Sequence, residues 1–266
     1  SPDVLEEYIP HAVDAEVFKK LPEDEVKRFK KEHFGSEDAF LFFWNNRNAR
    51  RKQSGTLVWW FNEFLKSRKD DEDIRLIMHT DPNDPYGTAL EKVIKDSGIP
   101  DGKILISPGK YPPEQMALLY NACECTINIS DAEGFGLATL ESLSCETPII
   151  ATMTGGLQEQ VMDDNGDTYG FGLVPASKSV IGSQQVPYIY EDRVSMAAFM
   201  DAMTEMYEMT SDERKEMGSK AREHTLRNYN MEKNMEKWDK LLTKVHEECG
   251  SWDTRKNYKS WEICEL

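Results

Sequence analysis

The sequence predicts an α/β fold: a doubly wound parallel sheet with a helical C-terminal tail. Three observations lead there. Short apolar runs alternate with stretches of helical periodicity from residue 39 to residue 162. The runs lack polar alternation, so both faces of each strand are buried, as crossover helices on the two sides of a parallel sheet require. Turn-forming segments, DPNDP at 81–85, SGIP at 97–100 and YPP at 111–113, fall between the elements.

In chain order, residues 1–35 contain prolines and no convincing strand, and read as an approach segment in which the charged run 23–32 forms a short solvated helix. The run AFLFFW at 39–44 is the first strand, and Leu57, Trp60, Phe61, Phe64 and Leu65 share one face of a helix over 54–67. The same pairing recurs with strand 74–79 and helix 88–96, strand 103–107 and helix 113–121, strand 125–130 and helix 136–146, and strand 148–152 and helix 156–162. Residues 176–192 are polar and without period, and are expected as an exposed loop or insertion. Met196, Phe199, Met200, Met203 and Met206 then share a helical face that reads as core filling. Ser211, with Asp212 and Glu213 in the first turn, is expected to cap a further helix, and the tail is helical to about residue 248. The domain reading is therefore 1–35 approach, 36–228 Rossmann-like domain, and 229–266 helical tail.

Composition narrows the function. The 266 residues hold 32 basic and 48 acidic side chains, a net charge of −16 that repels phosphate backbones and argues against general nucleic-acid binding. No apolar run approaches the roughly 18 residues of a membrane span, and the opening SPDVLEEYIP carries no signal-peptide pattern. Cys123, Cys125, Cys145, Cys249 and Cys264 are odd in number and lack zinc-ligand spacing, which suits reduced thiols in the cytoplasm. The sequon at Asn128 lies in an expected buried strand and carries no weight.

Ligands of an open parallel sheet bind beyond the carboxyl ends of its strands. The loop after the 125–130 strand reads DAEGFGLATLE, from Asp131 to Glu141. Its glycines, Gly134 and Gly136, let the backbone approach a ligand, and the free amides of Gly136 and Leu137 at a helix N-terminus favour an anion. Glu141 would stand ~7 Å along the helix from that anion, where its carboxylate suits a ribose diol. Glu133, at the loop tip, can accept hydrogen bonds from sugar hydroxyls. By themselves these residues are better read as a tight turn with an unremarkable surface carboxylate. The second feature is the basic loop NNRNARRK at 45–52, which concentrates positive charge directly after the first strand of an acidic chain. Arg47 can engage a diphosphate in bidentate fashion and Lys52 as a point charge; a solvated basic loop is the alternative.

EGFGLATLE resembles the Glu-x7-Glu signature of GT-B glycosyltransferases of the family 4 type. Flanking segments resemble that family in the same order: IPHAVDAEVF at 9–18, Arg47 with Lys52, and GGLQE at 155–159. The style of the loops resembles enzymes encoded by large algal DNA viruses. The resemblance covers residues 8 to about 175. It implies the C-terminal, donor-binding domain of a retaining hexosyltransferase that uses a nucleotide-diphosphate sugar without a DxD metal site or a cofactor, a GDP-sugar such as GDP-mannose being favoured over a UDP-sugar.

On that resemblance Arg47 and Lys52 hold the diphosphate and, with Glu133, form the catalytic set. Gly134, Phe135, Gly136 and Leu137 bind donor sugar and phosphate, Glu141 binds the ribose, and Pro108 and Tyr111 flank the base. The acceptor is a glycan or other hydroxyl compound, and the N-terminal acceptor domain is absent, so the chain is expected to bind donor with little transfer. Two departures stand out: Glu146 replaces a helix-ending glycine, and Gln53 replaces the glycine after the lysine. The alternative reading is a non-catalytic nucleotide- or protein-binding module that has kept the half-fold. A sugar epimerase or a phosphorylase is less favoured, the latter because nothing singles out a lysine for pyridoxal phosphate. A dinucleotide oxidoreductase is disfavoured because the glycine loop opens the fourth helix and lacks GxGxxG.

Overall fold

The computed structural model describes residues 5–69, 72–163, 165–251, 254 and 256; Cys264 and the end of the expected tail lie outside them. Six parallel strands form one sheet: β1 Phe40–Asn45, β2 Ile74–His79, β3 Ile104–Ser107, β4 Cys125–Asn128, β5 Ile149–Thr152 and β6 Gly170–Leu173, in the order β3-β2-β1-β4-β5-β6. The strands are apolar because both faces are covered. From β1, Phe42 and Trp44 point into one core with α2 (Ser54–Lys66), α3 (Leu90–Asp96) and α7 (Met196–Glu208). Leu41 and Phe43 point into the other with α4 (Pro113–Ala122) and α5 (Leu137–Ser144). Strand β1 pairs with β2 on one side and β4 on the other, so the chain direction of winding reverses between β1 and β4. A crevice at the carboxyl ends of those two strands follows from that reversal.

The fold class and the five strand–helix pairs match the sequence reading. Three local expectations are corrected. Residues 176–192 do not form a structureless loop: β7 (Ser177–Val180) and β8 (Tyr190–Arg193) make an antiparallel hairpin, exposed along β7 and at its tip but with Glu191 buried. The helix α8 (Ser211–Asn228) is capped by Thr210, one residue earlier than expected, because a reciprocal bond between Thr210 and Glu213 satisfies two backbone donors. The charged run lies in α1 (Glu23–Phe34), which is not solvated all round: Lys30 is buried, its ammonium donating to the Ala39 carbonyl at 2.7 Å and to Glu124 at 2.9 Å. Met203 and Met206 are buried in the core, as the helical spacing predicts.

Cys123, Cys125 and Cys145 are buried free thiols, and Cys249 is an exposed one. Among the described residues no helix is long and apolar enough to cross a membrane. The amphipathic α9 (Met231–Cys249) buries no residue and leaves Met235, Trp238 and Leu242 exposed.

Glu146 takes φ +63°, and α8 packs so closely that a Cβ on Gly218 would lie 2.0 Å from the Glu146 carbonyl oxygen. A left-handed non-glycine residue costs ~1–2 kcal/mol, whereas glycine costs ~0.5–1 kcal/mol of extra chain entropy on folding. Glu146→Gly is therefore expected to stabilise the chain by about 0.5 kcal/mol, seen as a higher urea midpoint with an unchanged slope.

Candidate functional site

The crevice predicted by the strand order is filled by the loops after β1 and β4. After β1, residues Arg50–Lys52 form a 3₁₀ turn, and Gln53 closes it with φ +56° before α2 begins. Arg51 lends its carbonyl oxygen to the backbone NH of Asp131 at 2.8 Å, and the Gln53 amide donates to the buried Asp131 carboxylate at 2.6 Å. The two loops are thus sewn together, and the stitch puts Lys52 against Glu133. The Lys52 ammonium, 8% exposed, donates to Glu133 Oε2, whose side chain is 11% exposed. Burial pushes the Lys52 pKa down, against the pull of Glu133. Arg51 stands 3.9 Å from the other Glu133 oxygen.

The glycines give this loop its shape. Gly136 has φ +92°, and a Cβ there would strike Leu157 at 2.5 Å and Thr139 at 2.8 Å. Gly155 has φ +50°, and a Cβ would lie 1.8 Å from the Glu133 carbonyl oxygen. Gly156 donates its NH to the Gly134 carbonyl at 3.1 Å. Leu137 opens α5 about half exposed, and its side chain borders the free amides of that helix start. Phe135 turns the other way, edge-on to His11 at 5.1 Å and to Tyr229 at 5.6 Å between centroids. Its carbonyl accepts from Gln160 at 2.8 Å.

One turn into α5, Glu141 accepts a hydrogen bond from the Tyr120 hydroxyl at 2.8 Å, and that hydroxyl in turn accepts from the Asn45 amide at 2.8 Å. Burial raises the Glu141 pKa, and the Tyr120 bond opposes it. Tyr120 is fully buried, so Tyr120→Phe leaves the Asn45 amide and one Glu141 oxygen without that partner. A loss of about 1–3 kcal/mol in urea unfolding is expected, with the Glu141 carboxyl titrating at higher pH by carbon-detected NMR.

The other expected residues are placed less centrally. Tyr111 stacks on His79 at 5.1 Å and its hydroxyl accepts from Ser107 at 3.1 Å; with Pro108 it borders a groove of about 630 Å³ whose walls include Phe34 and Leu118. Burial lowers the His79 pKa. Arg47 is not brought to Glu133. It is exposed, held by Asp84 at 2.6 Å and lying over the Tyr86 ring. The sequence reading also missed Asn45, Tyr120 and Asp131, which orient the expected residues. Asn45 stood within the basic loop singled out, and Asp131 within the glycine loop. Tyr120 sits on an apolar helix with no signal.

α5 starts without a side-chain cap, Lys52 is buried against Glu133 in the loop that leads into it, and the Glu133 and Glu141 carboxylates can accept hydroxyl donors. Comparison with known proteins agrees in kind. A family model described as Glycosyl transferases group 1 matches residues 25–224. The chain is 34% identical over 105 residues to a D-inositol 3-phosphate glycosyltransferase of Acidothermus cellulolyticus, covering 38% of this chain and 23% of that protein. It is 25% identical over 187 residues to a GDP-mannose-dependent alpha-(1-6)-phosphatidylinositol monomannoside mannosyltransferase of Mycolicibacterium smegmatis, covering 68% and 47%. A crystal structure of a glycosyltransferase from Rickettsia africae shares the fold with a TM-score of 0.70 at 17% identity, over 89% of this chain and 56% of that one. The match therefore spans between about a quarter and about half of these relatives' length.

Proposed function

The chain belongs to the Glycosyl transferases group 1 family, and from that premise we propose that it is the donor-binding half of a retaining hexosyltransferase that takes a nucleotide-diphosphate sugar. The observation that carries the reading is the Lys52–Glu133 contact at the N-terminal mouth of α5, with Glu141 one turn further on. A diphosphate placed on the amides of Gly136 and Leu137 meets the Lys52 ammonium, and Arg47 reaches it by exchanging Asp84 for phosphate. Glu133 then faces the hexose hydroxyls and Glu141 the ribose diol, while Pro108 and Tyr111 flank the base. As the sugar–phosphate bond breaks, negative charge grows on the diphosphate, and fixed cations and amides aimed at it lower the barrier. The acceptor hydroxyl of a glycan or other compound supplies the nucleophile.

A GDP-sugar is favoured, supported by the name of the mycobacterial relative. The acceptor is held by an N-terminal domain outside this chain, and the exposed apolar face of α9 suits contact with it. This half alone then binds donor without appreciable transfer. Work in the cytoplasm fits the free thiols.

Calorimetric titration with GDP and with UDP tests the reading. One nucleotide is expected to bind more tightly, at least tenfold more weakly in Glu141→Ala, and unchanged by a metal chelator. Absence of binding by either would favour the non-catalytic module.

A further inference from the structure

The β7–β8 hairpin, which the sequence left without a role, reaches the loops of the donor site through three consecutive residues of its return strand. Glu191, 3% exposed, accepts from both terminal guanidinium nitrogens of Arg50, one at 3.0 Å, and from a nitrogen of Arg193 at 3.0 Å. Asp192 donates its NH to the Asp131 carbonyl at 2.7 Å and accepts from Thr154 at 2.7 Å. Arg193 donates to the Asp131 carboxylate at 2.6 Å. One strand thus grips the loops that follow β1, β4 and β5. Asp131 and Glu133 are two residues apart in one loop, and Arg50 and Lys52 two apart in the other.

We propose that Glu191 is a positioning residue of the donor site: by clamping Arg50 and Arg193 it makes the hairpin a strap that holds Lys52 and Glu133 in register for a nucleoside diphosphate. The inference rests on the donor-binding reading above. The physical argument is one of burial. Glu191 is nearly inaccessible, and a buried carboxylate persists only when its charge is matched and its lone pairs are bonded. Here one matching cation, Arg50, comes from the loop after β1, and the other, Arg193, lies on β8 itself and also bonds Asp131 in the loop after β4, so satisfying one carboxylate ties the hairpin to both loops. Arg50, consumed by Glu191, adds no net charge to the anion position, which leaves that task to Arg47, Arg51 and Lys52. The charge network lies at the base of the hairpin, whereas its tip, with Val186 and Tyr188 exposed, takes no part in it.

Glu191→Gln keeps the size and removes the charge. Two readouts are compared in the full 266-residue chain: deuterium uptake of backbone amides, and affinities for the better-binding diphosphate of GDP and UDP and for its nucleoside. Uptake over 50–53 and 129–136 is expected to quicken about tenfold while 40–45 stays as protected as before. Diphosphate affinity should drop about tenfold with the nucleoside unaffected, because the strap acts at the phosphate end. Glu191→Asp, which keeps the charge, should recover most of both. Unchanged uptake overturns the proposal whatever the nucleotides do. Equal losses for diphosphate and nucleoside overturn it as well, since a general loss of structure would produce them. If the parent chain binds neither diphosphate, the donor reading falls by that result, and uptake alone decides the strap.

Discussion

Replacing Lys52 by methionine is expected to cut nucleoside diphosphate affinity at least a hundredfold, more than any other single side chain of the basic loop. Exposed Arg47 and Arg51 hold their charges in water, where a lost pair costs ~1 kcal/mol or less. Lys52 is buried beside Glu133, and a desolvated charge facing an anion is worth ~2–5 kcal/mol, of which about 2.7 already makes a hundredfold. Methionine fills the same space, so the loss is one of charge. The variant also strands Glu133 in a buried position, which costs a further ~3–5 kcal/mol of stability. Lys52→Met with Glu133→Gln separates the two effects: thermal stability should return and diphosphate affinity should not.

The same residue predicts a pH profile. Burial lowers the Lys52 pKa, so its charged form is disfavoured in the folded chain, and that penalty eases as the pH rises. Diphosphate binding needs the charged form and runs the opposite way, declining as the pH climbs through the lowered pKa, before the ~10.4 of a free lysine. Calorimetry from pH 7 to pH 10 checks this; a flat profile would show that Lys52 does not carry the interaction.

How much of this could be read beforehand depends on the range of the forces involved. Strand β1 announced itself because FLFFWN must be buried on both faces, and nothing local competes with that reading. Strand β6, GFGL, did not, since two glycines in four residues erase the apolar signal; their reason is tertiary, a Cβ on Gly170 falling 2.2 Å from the Ile149 carbonyl oxygen. The hairpin was hidden for a similar cause. Its strands are polar and largely exposed, and what fixes β8 is the bond between Glu191 and Arg50, 141 residues apart. The departures at Gln53 and Glu146 were visible as residues out of place, and both carry positive φ. Glu133, Lys52 and Glu141 were legible as a motif, but Tyr120, which orients Glu141, looked like any other apolar-helix residue. The chemistry of Arg47 is legible in the sequence, but no sequence pattern indicates that Asp84 holds it.

Gly155→Ala should be the most damaging small change in the chain, because it acts on the loop through the backbone. An alanine there meets a left-handed φ, worth ~1–2 kcal/mol, and places its Cβ 1.8 Å from the Glu133 carbonyl oxygen. The loop cannot retreat freely, since Gly156 binds the Gly134 carbonyl and Arg51 binds the Asp131 NH. Relief therefore requires moving Glu133 away from Lys52. Gly98→Ala isolates the conformational part: its φ is +65° and nothing lies within 4 Å of a Cβ. It should cost about 1 kcal/mol, or a few degrees of melting temperature for a chain of this size. Gly155→Ala should exceed ~4 kcal/mol and lower the melting temperature by roughly 10 °C, with diphosphate binding lost at temperatures where the chain is still folded. Should the two alanines prove equally mild, the loop would be compliant enough to absorb a methyl group. The glycine after β5 would then have no part in setting where Glu133 stands.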